Sequence, residues 1–268
     1  MSPVCSSGRV SSIPARGASA SGPDSGLSDG ELAARIAEGA GRILLGVRHG
    51  GLLDGALAGN AGDQLAQAWI GAALRRRRPH DAVLSEEAED VGDRATNDRV
   101  WIIDPLDGTS EFRHGTDDWA VHVALTVDGR PTAAAVAIPA RGELFRSDDI
   151  EGVGGPLTHR IAVSRFGGSY EAAHVANALG LQRVSIGSAG AKAMAVVRGD
   201  VDAYVHAGGQ YEWDNCAPVG VCAAAGLHCS RLDGSEIVYN QRIPYMPDFV
   251  ICRTEIADDV LSALRGVW

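Results

Sequence analysis

The stretch that most constrains this chain is residues 100–109, Val-Trp-Ile-Ile-Asp-Pro-Leu-Asp-Gly-Thr. Val100 to Ile103 is a short apolar run of the kind that forms a fully buried strand. Pro105, which has no ladder donor, is expected to stop it. Asp104 and Asp107 then stand three residues apart, followed by Gly108 and Thr109. In a continued strand an odd separation sends side chains to opposite faces, whereas residues three apart on a helix share a face. The spacing therefore predicts a turn at Pro105 into a helix, with both acids and the Leu106 carbonyl aimed at one spot. Two carboxylates ~4 Å apart repel by roughly 4 kcal/mol at an effective dielectric near 20. A hard cation with oxygen ligands removes that repulsion, and a helix starting at Gly108 and Thr109 offers backbone N–H groups to an anion. A divalent metal beside a phosphate is the chemistry this pattern predicts. The alternative is an N-cap Asp and a turn Asp with no ligand.

At 268 residues, 45% hydrophobic and 22% charged, the chain can bury a large core in one domain or two intimate halves. A net charge of −10 argues against a nucleic-acid or anionic-membrane surface. It also means that an anionic substrate needs a metal or a local basic patch. No apolar run is long enough to span a membrane. Five cysteines, an odd number without a Cys-x-x-Cys pair, read as reduced thiols of a cytoplasmic protein. Residues 1–27, rich in Ser, Gly, Ala and Pro and lacking an apolar h-region, read as a disordered leader.

Ser28-Asp29-Gly30-Glu31 is a capping box opening a helix to about Val47. A second helix is expected from about Ala61 to Arg78, where Arg75 to Arg78 complement its dipole. Short strands at Ala82–Leu84 and before Asp104, then Val121–Val127, Pro131–Ile138 and Glu143–Arg146, predict two helices against an antiparallel meander over 28–150. Over 151–268 strands and helices alternate, with strands at Arg160–Val163, Arg183–Ile186, Val201–His206 and Phe249–Cys252. Helices are expected at Ser169–Leu179, at Lys192–Arg198, and from Ile256 onward. Another begins near Trp213 and Asp214, accepting Pro218 only in its first turn. The predicted fold class is α/β (α+β), with an antiparallel meander in the first half and mixed α/β in the second.

Glu86, Asp104, Asp107 and Asp214 all follow apolar strands. Polar residues at strand ends gather along one rim of a sheet, where sites form. Carboxylates with a backbone carbonyl, and no Cys or His among them, suit Mg²⁺ or Mn²⁺ in its place.

Ser-Glu-Glu at 85–87, Trp-Ile-Ile-Asp-Pro-Leu-Asp-Gly-Thr at 101–109 and Glu-Trp-Asp-Asn-Cys-Ala at 212–217 resemble the three signatures of the inositol monophosphatase superfamily of Mg²⁺-dependent, lithium-sensitive phosphatases. The resemblance covers about residues 28 to 265 and implies a layered α-β-α-β-α fold. It implies a first metal on Glu86, Asp104 and the Leu106 carbonyl, and a second on Asp104, Asp107 and Asp214. It also implies that Thr109, paired with Asp63, orients and deprotonates the attacking water. A third, activating ion is left open, because Ala-Gly-Asn-Ala-Gly-Asp at 58–63 departs from the family's Pro-Val-Thr-x-Ala-Asp run.

Asp-Gly-Thr-Ser-Glu-Phe at 107–112 is similar to the 3′(2′),5′-bisphosphate nucleotidase branch, which acts on 3′-phosphoadenosine 5′-phosphate. Gly187-Ser188 with Lys192 resembles that branch's Gly-Ser-Ser-x-Lys with one extra residue. The substrate contacts implied are Asp107, Gly108, Thr109, Gly187, Ser188 and Lys192, with His206 at the end of the following strand. The function implied is hydrolysis of the 3′-phosphate of that nucleotide, or of its sulfate-bearing analogue, within sulfur assimilation. A broad inositol 1-phosphate or fructose 1,6-bisphosphate phosphatase and a non-catalytic regulator are the alternatives. The expected partner is a small phosphate monoester, without nucleic acid or membrane, and a homodimer is open because family members commonly form one.

Overall fold

The structure is a computed structural model and describes residues 26–88, 94–165 and 167–267. In chain order it contains α1 (Asp29–His49), α2 (Gly55–Arg77), β1 (Ala82–Ser85), β2 (Arg99–Asp107), α3 (Thr109–His114), β3 (Ala120–Val127), β4 (Arg130–Ile138) and β5 (Glu143–Arg146). There follow β6 (Arg160–Ser164), α4 (Tyr170–Leu179), β7 (Gln182–Ile186), α5 (Ala189–Val197), β8 (Ala203–Tyr211), α6 (Glu212–Ala224), β9 (His228–Ser230), β10 (Tyr245–Cys252) and α7 (Ala257–Arg265). The capping box opens α1 as its sequence predicts: Glu31 N–H donates to Ser28 Oγ (3.1 Å) and Ser28 N–H to Glu31 Oε2 (3.0 Å).

The first sheet runs β1-β2-β3-β4-β5, and the second runs β7-β6-β8-β10-β9. Alternation along each strand divides its side chains between layers. On β2, Trp101 and Ile103 pack with Leu32, Ile36 and Leu44 of α1 and Ile70 of α2. Val100 and Ile102 instead share a core with Met194 of α5, Cys216 of α6 and Phe249 of β10. On the far face of the second sheet, Val205 and Val250 meet Val175 of α4 and Val260 of α7. The layers are thus α1 and α2, the first sheet, α5 and α6, the second sheet, then α4 and α7, the α-β-α-β-α arrangement.

Several local expectations change. The strand does not stop at Pro105. β2 continues to Asp107 through a bulge, three residue steps from Asp104 to Asp107 lying against two from His122 to Ala120 on β3. A bulge tolerates a residue without a ladder donor, so Pro105 marks the irregularity and not the end. The meander is antiparallel only from β2 to β5, because β1 pairs parallel to β2. The α2 helix begins at Gly55, not near Ala61. Its glycines serve close packing: a Cβ at Gly59 would lie 2.6 Å from Arg113 Nε, and one at Gly62 would lie 3.0 Å from Leu44 Cδ2. The α6 helix opens at Glu212, which puts Pro218 in its second turn. The N–H that Pro218 lacks is the one that would have bonded the Asp214 carbonyl. β9 is a further strand with no expectation behind it.

Cys216, Cys222, Cys229 and Cys252 are free thiols. Among the described residues no helix is long and apolar enough to cross a membrane. The leader expected over 1–27 lies, through residue 25, outside the described residues.

Candidate active site

The bulge in β2 is what brings the two motif acids together. An odd separation on a regular strand would part them, but the extra residue restores a common side, while Leu106 turns into the core under α1 and α2. Asp104 is fully buried; its Oδ1 accepts the Leu106 N–H (2.9 Å) and its Oδ2 has no hydrogen-bond partner. Asp107 is held differently. Its Oδ1 accepts the Ala189 N–H (3.2 Å) and its Oδ2 the Gly190 N–H (2.7 Å), both at the start of α5. His122 Nε2 lies 3.2 Å from the same Oδ2, without hydrogen-bond geometry, and His122 Nδ1 is 3.2 Å from the Trp213 carbonyl. Asp214, third in α6, accepts the Tyr211 N–H on Oδ2 (2.6 Å) and so caps its own helix. It still reaches the site: one oxygen each from Asp104, Asp107 and Asp214 lies within 4.8 Å of the others.

The protonation equilibria follow from these surroundings. Burial, then the charges of Asp107, Glu86 and Asp214, push Asp104 well above the usual carboxylate range. Burial also opposes charge on Asp107, yet His122 and the Gly190 amide hold it below that range. Of this close pair Asp107 therefore keeps its charge and Asp104 takes the proton. Asp214 rises to about 6 through burial and Asp107. Glu86, after β1, is exposed as a residue, but its carboxyl is crowded enough by protein and by Asp214, Glu87 and Asp107 to rise to about 7, an effect that the adjoining solvent tempers. Asp63 on α2 is buried with Oδ1 unpartnered, and burial together with Glu87 and Glu86 raises it to about 8.

The remaining candidates are distributed unevenly. Thr109 Oγ1 donates to the Leu106 carbonyl (3.2 Å), and among the described residues no hydrogen bond joins Thr109 to Asp63. Gly108 has φ +83°, and a Cβ there would sit 2.7 Å from Ser188 Cβ, so glycine allows the β2–α3 turn to press against the α5 cap. Ser188 Oγ accepts the Ala191 N–H (3.1 Å), and the Gly187 N–H donates to Asp118 Oδ2 (2.6 Å). Lys192 points inward. In the first turn of α5 its side chain leans back toward the N-terminus, where it is buried and donates to the carbonyls of Gly187 and of Ser188, the latter at 2.9 Å. Burial lowers its pKa to about 8. His206 is stacked on Phe249 with its Nε2 3.2 Å from the Gly209 carbonyl.

Sequence reasoning passes over His122. A histidine inside the apolar run of β3, paired in register with Asp104, is the signal that marks it. Its full burial makes Gly190 sensitive, because a Cβ at Gly190 would overlap His122 Nε2 and lie 3.1 Å from Asp107 Oδ2. Gly190→Ala is expected to destabilise the protein by about 1–3 kcal/mol, read as a lower denaturant midpoint at unchanged slope; an unshifted midpoint would show that His122 has room to move.

The donor set consists of oxygens alone, and Asp104 Oδ2 and Asp63 Oδ1 are buried polar atoms without partners. Such a set fits a hard divalent cation. Fold and site together define a class, and the chain belongs to the inositol monophosphatase family, which it matches over residues 34–265. More particularly, it is 52% identical over 258 residues to the 3′-phosphoadenosine 5′-phosphate phosphatase of Mycobacterium leprae, covering 90% of this chain and 95% of that one. It is also 52% identical over 241 residues to the protein of that name from Mycobacterium tuberculosis, covering 85% and 90% respectively. The inositol monophosphatase of Anabaena (Nostoc) sp. PCC 7120 superposes with a TM-score of 0.72 at 22% identity, covering 89% of this chain and 98% of that one. CysQ of Bacteroides thetaiotaomicron superposes with a TM-score of 0.71 at 24% identity, covering 84% and 97%. At these identities the structural likeness establishes the fold.

Proposed function

We propose that this protein is a Mg²⁺-dependent phosphatase that removes the 3′-phosphate of 3′-phosphoadenosine 5′-phosphate, leaving AMP and inorganic phosphate. The observation that carries this reading is the convergence of Asp104, Asp107 and Asp214 within 4.8 Å, with Asp104 Oδ2 buried and unpartnered. The 52% identity to phosphatases of that name supports the choice of substrate.

In this reading Glu86, Asp104 and the Leu106 carbonyl hold one Mg²⁺ and Asp104, Asp107 and Asp214 a second, with Mn²⁺ able to replace either. Bound there, such ions supply Lewis-acid activation of water and neutralise charge on the phosphoryl group. The protein's own contribution is positional and protolytic. The α5 amides and His122 fix the Asp107 carboxylate. Asp63, raised to about 8, is a base matched to neutral pH that takes the proton from the attacking water. The Thr109 hydroxyl, on the Leu106 carbonyl, orients that water. We assign most metal ligands to residues 28–150, and Asp214 with the substrate contacts to 151–268. Work in the cytoplasm is supported by the free thiols.

The test is a phosphate-release panel with 3′-phosphoadenosine 5′-phosphate, inositol 1-phosphate and fructose 1,6-bisphosphate, with and without Mg²⁺ and Li⁺. The expected result is Mg²⁺-dependent, Li⁺-inhibited turnover with the highest kcat/KM for the nucleotide. A higher kcat/KM for inositol 1-phosphate would overturn the choice of substrate.

A further inference from the structure

Just before Asp214 in the chain, three aromatic side chains gather at the surface. Tyr211 closes β8 and Trp213 is the second residue of α6; their rings stack with centroids 4.6 Å apart and planes 9° from parallel. Tyr245, the register partner of Tyr211 on β10, meets it edge to face at 6.1 Å and 82°. The cluster is nevertheless wet: Tyr211 is 48% and Tyr245 50% exposed. The backbone beside it is kept bare, since Gly209 has φ +90° and a Cβ there would overlap the Tyr245 phenol. Contiguous exposed apolar surface is a feature of ligand-binding and interaction sites.

The cluster is tied to the acids by short links. The Tyr211 N–H donates to Asp214 Oδ2 (2.6 Å), and the Trp213 carbonyl meets His122, which also faces Asp107. Covalent geometry then keeps the Tyr211 ring on the order of 10 Å from the three carboxylates, a span comparable with that from a ribose phosphate to the base of the same nucleoside. Nucleobases stack on aromatic rings through faces that a cyclic polyol lacks.

We propose that Tyr211, Trp213 and Tyr245 form a stacking site for the purine base of a nucleotide substrate whose reacting phosphate lies at Asp104, Asp107 and Asp214. This rests on the nucleotide-phosphatase reading above and deepens it by naming what selects the nucleotide. Hydroxyl groups on two of the rings leave the stack itself unchanged when removed, so phenylalanine preserves the site and alanine destroys it.

The test compares kcat/KM for 3′-phosphoadenosine 5′-phosphate with kcat/KM for inositol 1-phosphate, as a ratio, on the full chain with Mg²⁺. Wild type, Tyr211→Ala, Tyr245→Ala, Tyr211→Phe and Tyr245→Phe are assayed side by side. The ratio is expected to fall about tenfold in each alanine variant and to hold in the phenylalanine variants. A readout free of turnover is quenching of tryptophan fluorescence by AMP, which is expected in wild type, to need about tenfold more AMP in Tyr211→Ala, and to be absent with ribose 5-phosphate. Alanine variants that keep the wild-type ratio and the wild-type AMP response overturn the stacking site while leaving the phosphatase reading intact. A wild-type ratio favouring inositol 1-phosphate overturns that reading and the stacking site with it.

Discussion

Asp104→Asn is expected to lower kcat by on the order of 10³-fold while leaving the metal-free protein at least as stable as wild type. Asp104 is fully buried, lies beside Asp107 and has one oxygen with no partner. Its ionised form is the costly one in the folded protein, as the upward shift of its pKa expresses. Asparagine keeps an oxygen for the Leu106 N–H and, like the protonated Asp104, carries no charge to repel its neighbours. Asp107→Asn is expected to be equally inactive and, unlike Asp104→Asn, less stable by about 1–3 kcal/mol. The Asp107 carboxylate accepts two amide hydrogen bonds from α5 and faces His122, so its charge is already satisfied. Phosphate release gives the first quantity, and denaturant melts of chelator-treated protein give the second. A lower melting midpoint for Asp104→Asn than for Asp107→Asn would reverse the assignment of strain between the two acids.

The metal-free protein is expected to lose stability as pH rises from about 5 to about 8, by on the order of 4 kcal/mol from Asp63 alone, and Mg²⁺ to remove that loss. Asp63, Glu86 and Asp214 have folded-state pKa values of about 8, 7 and 6, above the ordinary carboxyl values of 3.8, 4.5 and 3.8. Between each pair of values the folded chain holds a proton that the unfolded chain has released. Stability from these groups is therefore fully present below the unfolded pKa and is lost as pH climbs through the folded one. Solvent at Glu86 reduces its share. Asp107, shifted the other way, contributes stability that fails only at acid pH, below this window. Cation binding requires the ionised acids, so protection by Mg²⁺ should grow over the same interval. Melts at about pH 5.5 and about pH 8, with chelator and with Mg²⁺, decide the matter; a metal-free protein more stable at the higher pH would contradict the crowding of acids.

Much of the fold was legible because its signals are local. The capping box at Ser28, the helix end at Leu179 and the apolar runs of β3 and β4 each report the conformation of a few neighbouring residues, and the structure has elements there. The α2 start was not legible, since the helix expected from about Ala61 begins at Gly55, with Gly59 and Gly62 fitted against Arg113 and Leu44 in space. Lys192 was legible as a basic residue near a glycine-serine turn, but not as a buried one, because its partners are carbonyls of its own loop.

By itself the sequence determined which acids are the candidates to hold a cation, since Asp104, Asp107 and Asp214 stand in motifs whose residue types imply an oxygen-ligated one. Only the tertiary structure decided how they meet and which of them is charged. A β-bulge at Pro105, and not a turn into a helix, aligns Asp104 with Asp107, while the α5 amides and His122 settle the charge on Asp107 alone. The physical reason is that composition and spacing fix what a side chain can do, whereas burial and hydrogen-bond partners, which fix its protonation and its aim, come from segments remote in the chain.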